Sequence, residues 1–573
     1  MAELALGVLG GVGVLGQIFN GCISAYRTFT TASNIGRDSE KLVCKIKIEE
    51  MRLTVWGREW GVQEGKLEGY LEKEKERGNA RLREVAIEVL QNLHRTITET
   101  ERLKGRYGLR EGQLEEENGK FGGDGKMVGN GKTVKERPKA GEKWRASSSD
   151  LSITQRFKSE MTLRAKWVIA DKEKFQIFLS DLKDYNDGLE QLFPPTRLAT
   201  LQMSWQNELL QAAQRDLKQL GLLEQASNGD YPRLKVGAEL KQLRINLDNK
   251  PDHNFRPTYA LKVRTDLLEI GDQKEHRSLG VYKNPNSKGV TEDVVIEWVP
   301  YDKEDIEARF THMRRIDDLA RMVHSASDRH PDLHTIDCIG YFDDSDKHRY
   351  GVVYSPAQAQ FTTLCEYISG NQQRTPDLED RFQLAHTLCV ALWSLHSLDW
   401  LHKSVCCQNI LFFPPPNEVD KETTKSSSEA PNILSPVLLG FDASRPFDLA
   451  EMSAYTRSPS TLDLHRHPLS LPGVDKKPFC KAFDIYSLGL VLLEIGLWKP
   501  LKEFWKPHYE AQRFKERVVL RALVKGLGSK VGRRYKGVVE RCLTFGDEEV
   551  DIVNLDSHRL MEEIVGVLEG LKV

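Results

Sequence analysis

The sequence predicts two folds in one chain: an all-α helical bundle over residues 1–225, then a two-lobed α+β fold over residues 258–573. Three observations carry this prediction. The chain has 573 residues, too many for one hydrophobic core. Apolar residues in its first half recur at three and four residues, the period of an amphipathic helix. The second half has short β-branched runs first and a long apolar run later.

The overall composition argues against two classes of protein. The 82 Lys and Arg residues nearly balance the 84 Asp and Glu residues, so no nucleic-acid partner is expected. Nine cysteines are scattered, and the closest pair, Cys406-Cys407, is adjacent rather than spaced for a metal or redox motif. This usage is typical of a reduced compartment, so we expect a cytoplasmic protein with no required metal.

The N-terminal segment from Leu4 to Tyr26 carries no charge and reads LALGVLGGVGVLGQIFNGCISAY. No basic residue precedes it, which argues against a secretory signal. A stretch of about 20 apolar residues is long enough to cross a bilayer, although Gln17 and Asn20 lower its apolarity. Small residues let helices approach closely, either in a core or in a bilayer. The glycines concerned are Gly7, Gly10, Gly11, Gly13 and Gly16.

Further helices are predicted along the first half. Apolar stripes run over 82–97, 175–192 and 198–212, and another helix is expected around 38–60. A glycine-, lysine- and serine-rich stretch, 119–150, cannot bury a core and is predicted to be a mobile loop. We expect the polar stretch 226–257 to be a linker.

In the second half the rhythm changes. VVIEWV (294–299) and YGVVYS (350–355) predict strands, with one helix between them that includes residues 306–316. FDIYSLGLVLLEIGLW (483–498) is apolar nearly all round, which predicts a central buried helix. Strands therefore precede helices along this half.

Three motifs follow one another in the order found in protein kinases. HKSVCCQN (402–409) matches the catalytic loop, usually H-R-D-L-K-P-x-N, and GFD (440–442) stands where D-F-G is expected. DIYSLG (484–489) matches the D-x-W/Y-S-x-G that opens a large helix. The second half therefore resembles the protein kinase superfamily. The resemblance implies an N-lobe at about 258–353, a C-lobe at about 357–573 and a polar insertion at 414–432.

The same resemblance implies that the chemistry is lost. Phosphoryl transfer needs a lysine on the phosphates, an aspartate and an asparagine on magnesium, and a second aspartate at the hydroxyl. Glu297 and Val299 stand at the plausible lysine positions. Ser404 replaces the catalytic aspartate, Cys406 the catalytic-loop lysine and Gly440 the metal-binding aspartate. We expect no catalysis and no required cofactor.

Residual nucleotide binding is the alternative. Asn409 is retained, and Gly280 is the single glycine of a weak phosphate loop, SLGVYKN (278–284). An atypical kinase could use Asp442 as a metal ligand and Lys303 as a displaced lysine, so ATP remains a candidate ligand. A shift of two residues along a strand is about 6–7 Å, which the rigid shell of magnesium does not tolerate.

Two retained residues have a structural interpretation. Asp484 opens an apolar helix, where a buried charge needs hydrogen-bond partners. In kinases this aspartate braces the catalytic loop, so here it would hold the Leu401–Lys403 segment. His402 is expected to be a packed structural histidine rather than a catalytic one.

The first half resembles the HeLo domain of fungal cell-death and prion-incompatibility proteins. The resemblance covers about residues 1–220 and rests on the glycine-rich N-terminus followed by RLTVWGREWG (52–61). The HeLo family is similar in architecture to the helical executioner domain of mixed-lineage-kinase-domain-like proteins. In those proteins the bundle is also tethered to a catalytically dead kinase fold. The resemblance implies a membrane-targeting helical bundle.

The preferred hypothesis is a non-catalytic signalling protein: a HeLo bundle controlled by a pseudokinase, in programmed cell death or heterokaryon incompatibility. Its expected partners are a membrane on activation, and a protein partner or a second copy through the bundle. Two alternatives stay open, an atypical ATP-binding kinase and a plain interaction scaffold.

Overall fold

The computed structural model describes most of the chain, and contacts divide the chain into two compact units, Met1–Leu192 and Phe193–Val573. The described residues are 13–32, 40–79, 81–112, 166–192, 195–248, 260–274, 276–285, 290–301, 306–324, 329–356, 360–370, 374–414, 432–441, 445–446, 464–471, 477–547 and 550–572.

The first unit is mainly helical, as predicted. The helices expected around 38–60, over 82–97 and over 175–192 are all present, and two short helices, α3 and α5, were not predicted. The bounds are α1 Val14–Ala32, α2 Glu40–Glu59, α3 Lys66–Glu76, α4 Arg81–Thr98, α5 Thr100–Gly105 and α6 Lys172–Glu190.

Helix α1 forms part of the core of this unit. Its apolar side chains at positions three or four apart are buried, among them Leu15, Phe19, Tyr26 and Phe29. Helices α1 and α2 approach closely at Gly57 of α2, where an added Cβ would lie 2.1 Å from the Phe19 ring. The described part of the uncharged N-terminal segment is therefore packed rather than exposed.

The RLTVWG motif joins α2 to α6. The Arg52 guanidinium is buried and forms ion pairs with Glu49 at 3.0 Å, Asp187 at 2.6 Å and Glu190 at 2.8 Å. The Trp56 indole N–H donates to the Leu189 carbonyl at 2.8 Å. A buried arginine needs such partners, so the motif has a structural role in the bundle.

The first unit is not purely helical. Strands β1 (Leu109–Gly112) and β2 (Lys166–Ile169) pair antiparallel, with Leu109 opposite Ile169. A four-residue strand carries too weak an alternation to be seen in the sequence, so this ribbon was not predicted. The predicted mobile loop, 119–150, lies outside the described residues.

Three helices begin the second unit: α7 (Pro195–Ala212), α8 (Leu217–Ser227) and α9 (Pro232–Asp248). Helix α9 lies where a linker was expected. It is held because the buried Lys241 ammonium donates to the Leu210 carbonyl at 2.8 Å and pairs with Asp399 at 2.9 Å. Polar composition suggested a linker, but apolar residues on α9 bury against this unit. They are Leu234, Ala238, Leu240 and Ile245.

A five-stranded antiparallel sheet follows, with strand order β3-β4-β5-β7-β6. The strands predicted from VVIEWV and YGVVYS are β5 and β7. One face packs into an apolar core that includes Val294, Ile296, Trp298 and Phe342. The bounds are β3 Leu268–Lys274, β4 Arg277–Lys283, β5 Thr291–Pro300, β6 Cys338–Asp344 and β7 Arg349–Tyr354, with helix α10, Ile306–Val323, between β5 and β6.

The remainder of the unit is mainly helical. Helix α13 (Lys481–Leu497) is buried from end to end, as its sequence predicted. The other helices are α11 Leu364–Ser369, α12 Leu378–Ser397, a π-helical segment Phe514–Val524, α14 Lys525–Thr544 and α15 Val550–Glu569. Short strands, also antiparallel, are β8 Thr362–Thr363, β9 Trp400–Leu401, β10 Ile410–Phe412, β11 Val437–Leu438 and β12 Arg445–Pro446. The predicted insertion, 414–432, lies almost wholly outside the described residues.

Helix α7 packs within this second unit. Two of its buried hydroxyls, Thr200 and Ser204, donate to Glu569 and Glu562 of helix α15. The contacts therefore group this helix with the C-terminal helices.

Candidate functional site

The candidate site is built around the 402–409 loop, whose backbone is hydrogen-bonded to Asp484. The two carboxylate oxygens of Asp484 accept the backbone N–H of His402 at 2.8 Å and of Lys403 at 2.7 Å. Asp484 is fully buried, so these bonds satisfy a charge that would otherwise be costly. Lys403 has φ +64°, a left-handed conformation that needs such support. The aspartate thus fixes the shape of the loop.

His402 is a buried structural side chain. Its Nε2–H donates to the Leu439 carbonyl at 3.0 Å, while Nδ1 accepts the Ser404 N–H at 3.3 Å. These partners define a neutral tautomer. Burial lowers the pKa of His402, so it stays uncharged at neutral pH. The ring therefore links the loop to the segment that ends at Gly440.

Asn409, Ser404 and Gly440 lie in direct contact. The Asn409 amide donates to the Ser404 carbonyl at 2.7 Å and to its hydroxyl at 3.1 Å. Gly440 has φ +89°, and a Cβ there would lie 2.2 Å from Asn409 Nδ2. An aspartate at position 440 has no room with the loop in this conformation.

Arg277 closes the site from the sheet. Its guanidinium pairs with Glu297 at 2.8 Å, donates to the Gln408 carbonyl at 3.0 Å and donates to the Asn409 amide oxygen at 2.7 Å. Arg277 and Glu297 are direct cross-strand partners on β4 and β5, and both side chains are almost fully buried. The amide oxygen of Asn409 is therefore already bound to a cationic side chain of the protein.

Cys406 and Ser404, the other two loop positions of interest, carry no charge that could assist phosphoryl transfer. Burial raises the pKa of Cys406 to about 12, so its thiol is neutral near pH 7. Ser404 is a poor proton acceptor at that pH. Among the described residues of the loop, the groups that would assist phosphoryl transfer are neutral or already bonded.

A cavity of ≈ 200 Å³ lies beside this network. Its lining includes the cationic side chains of Lys274, Arg277 and Lys502, along with Glu366. Sites for small molecules commonly occupy about 300–1,000 Å³, so this space is small for a nucleotide.

A second cluster of side chains that could bind a metal includes Cys407 of the loop. Cys407, His465 and Glu494 are buried, and their ligand atoms lie within 4.8 Å of one another. A hydrogen bond with the Cys407 thiol lowers the pKa of Cys365 to about 7. These are metal-ligand types, and the single close pair of cysteines in the sequence did not reveal them.

The other predicted residues are placed as follows. Gly280 lies inside strand β4 between Ile270 and Val294, with its backbone in the sheet. Val299 is buried in β5. Gly13 and Gly16 belong to the described N-terminal segment, and a Cβ on Gly13 would overlap the Glu68 carboxylate. Outside the described residues lie Gly7, Gly10, Gly11, Lys303 and Asp442.

Arg277 is another residue of the candidate site that sequence reasoning missed. A signal was available, because Glu297 stands alone among apolar residues in VVIEWV and a buried carboxylate needs a cationic partner. The identity of that partner depends on the strand register, which pairs Arg277 with Glu297.

Comparison with known families supports the helical part of this description. Residues 4–223 match the HeLo family, described as prion-inhibition and propagation. Residues 298–564 match a domain of unknown function, DUF7580. No curated protein shows a match to the chain. The chain thus carries a HeLo region, which at the level of that family implies a role in fungal cell death or incompatibility.

No helix in the described part of the chain is both long and apolar enough to span a bilayer. The first twelve residues, which include much of the uncharged N-terminal segment, lie outside that part.

Proposed function

We propose that this protein is a non-catalytic signalling protein of fungal cell death or self-recognition. In this proposal the C-terminal region is a pseudokinase that controls the HeLo region, and no cofactor is required. The observation that carries the proposal is the Arg277 guanidinium bound to both Glu297 and the amide oxygen of Asn409.

This contact opposes catalysis for an electrostatic reason. In an active kinase the corresponding asparagine oxygen binds magnesium. Here the oxygen accepts a bond from a buried guanidinium at 2.7 Å, and a second cation beside it would be repelled. Glu297 adds negative charge where the phosphates would need a lysine. Magnesium could bind to this oxygen only if the hydrogen bond between Arg277 and Asn409 broke.

ATP binding without catalysis is the second candidate, favoured by the cationic lining of the ≈ 200 Å³ cavity. A thermal shift with magnesium and ATP separates the two. We expect no rise in the melting temperature of the full chain. A saturable rise that is lost in Lys502→Ala would establish nucleotide binding.

The membrane part of the proposal concerns the uncharged N-terminal segment. Its described part is packed in the resting state, with Leu15 and Phe19 buried. Insertion therefore requires a trigger that favours the released state, such as a partner or self-association. We propose that the resting protein is cytoplasmic and that it associates with membranes when activated.

Liposome flotation and dye leakage with the full chain at increasing concentration test this part. Leu9→Asp places a charge in the inserting segment, at a cost of about 2.5–3.5 kcal/mol at the bilayer centre, or roughly 100-fold in binding. Ile177→Asp is the matched control, since Ile177 is 46% exposed on the bundle surface. We expect the first variant to lose leakage and the control to keep it.

Absence of membrane binding and leakage at every concentration would remove the membrane role. The interaction-scaffold alternative makes a distinct prediction: deletion of residues 1–26 would then leave localisation and toxicity unchanged.

A further inference from the structure

We propose a buried zinc site in the second unit, formed by Cys407, His465 and Glu494. The Cys365 thiol completes a set of four ligands. This inference is independent of the proposed signalling role, because neither the resemblance to kinases nor the HeLo match gives these four side chains a metal-binding role.

Of the two distances to Glu494, one matches a tetrahedral zinc site and the other would have to lengthen. Zinc–sulfur bonds of about 2.3 Å and zinc–oxygen bonds of about 2.1 Å place sulfur and oxygen about 3.6 Å apart in a tetrahedron. Cys407 Sγ lies 3.7 Å from Glu494 Oε1. His465 Nε2 lies 2.8 Å from the other carboxylate oxygen, Oε2, to which it is hydrogen-bonded, while Oε1 also accepts the Leu501 N–H at 2.8 Å. An ion would need to open that pair to about 3.4 Å.

The fourth ligand lies next to the third. Cys365 is 7% exposed and lies on α11, which packs against the Cys407–Asn409 part of the loop. Its sulfur is not among the atoms that lie within 4.8 Å of one another, so the side chain would have to move towards the ion to bind it.

The ligand types select the metal. Two sulfurs, an imidazole nitrogen and one carboxylate oxygen favour zinc over magnesium or calcium, which prefer oxygen ligands alone. The burial of Cys407, His465 and Glu494 leaves at most 4% of each exposed. Four protein ligands with no open position define a structural rather than a catalytic zinc site.

Such an ion would join four segments that are distant in sequence. Cys365 belongs to α11, Cys407 to the 402–409 loop and Glu494 to α13. His465 belongs to the described segment 464–471. The ion would thus connect the loop to the central buried helix.

The primary experiment measures metal in the full chain after purification without chelator. We expect about one zinc ion per chain by elemental analysis. Replacement by cobalt should give the thiolate charge-transfer and tetrahedral d–d absorption bands of a site with sulfur ligands. This spectrum is read on the parent protein, so it does not depend on any variant folding.

Variants then assign the ligands. Cys407→Ser and His465→Gln should lower zinc affinity at least about tenfold, the loss seen even for outer-shell changes. Cys480→Ser is the matched control, because Cys480 is also 7% exposed and lies outside the cluster. It should keep the metal.

Three outcomes would overturn the proposal. The parent chain could remain free of zinc after incubation with equimolar zinc. Cys407→Ser and His465→Gln, checked by circular dichroism, could hold zinc as tightly as Cys480→Ser. A peptide map of unreduced protein could show Cys365 and Cys407 joined as a disulfide, which would consume both thiolates.

Discussion

Removing the Arg277 side chain tests the central contact of the candidate site. Arg277 and Glu297 are 3% and 1% exposed, so Arg277→Ala leaves a carboxylate buried without its cation. Breaking a buried pair in this way costs about 3–5 kcal/mol. The second unit has about 380 residues. At about 2.1 cal/mol/K per residue its unfolding entropy is about 0.8 kcal/mol/K, so Tm should fall by about 4–6 °C.

A double variant separates the charge from the packing. Arg277→Met with Glu297→Leu removes both charges and keeps most of the volume. The remaining loss comes from the Asn409 amide oxygen and the Gln408 carbonyl, which would both lose the Arg277 donor at a cost of about 1–3 kcal/mol each. We therefore expect the double variant to be more stable than Arg277→Ala.

Calorimetry and urea unfolding monitored by circular dichroism measure these differences. Lys283→Ala is the control in the same sheet, because Lys283 and Glu269 form a pair that is 52% and 65% exposed. Exposed pairs contribute about 0–1 kcal/mol. The reasoning is refuted if Arg277→Ala unfolds within about 1 kcal/mol of Lys283→Ala, the range of an exposed pair.

Three further predictions follow from single sites. Gly57→Ala should destabilise the first unit by about 1–3 kcal/mol in urea unfolding, because its Cβ meets the Phe19 ring at 2.1 Å; an unchanged midpoint would contradict the packing. Gly440→Asp should lower Tm and gain no kinase activity, since the new Cβ overlaps the Asn409 amide; ATP turnover in a stable variant would show that the loop can rearrange. Burial lowers the pKa of His386 to about 3. The unfolded chain therefore binds a proton first as pH falls below about 6.5, and stability drops by up to about 1.4 kcal/mol per pH unit towards pH 4. His386→Gln should reduce that slope in unfolding measured from pH 7 to pH 4, and an identical slope would rule out this histidine.

Much of the helical architecture could be read from local patterns. Helix α4 and helix α13 follow from the spacing and run of their apolar residues, because each helix period is encoded within a few turns. The ribbon of β1 and β2 and the helix α9 were not foreseen. Their sequences are too short or too polar for periodicity, and their stability comes from distant partners such as Asp399 for Lys241.

The candidate site divides in the same way. Ser404, Cys406 and Gly440 are visible in the sequence as uncharged residue types at the positions where the resemblance to kinases predicts charged ones. The contact of Arg277 with Asn409 is not visible in the sequence, because the two residues are 132 positions apart. Which side chain enters a buried site depends on strand register and loop shape, and neither is a local property.

The sequence by itself determined the two periodic patterns of this protein and the residue types at the positions that the resemblance to kinases singles out. Residue identity and short-range periodicity are sufficient for both. Only the tertiary structure shows that Arg277 donates a hydrogen bond to Asn409 of the loop, and that the ligand atoms of Cys407, His465 and Glu494 lie close together. The physical reason is that a buried charge or ligand finds its partner through packing of the whole unit, which brings together residues far apart in the chain.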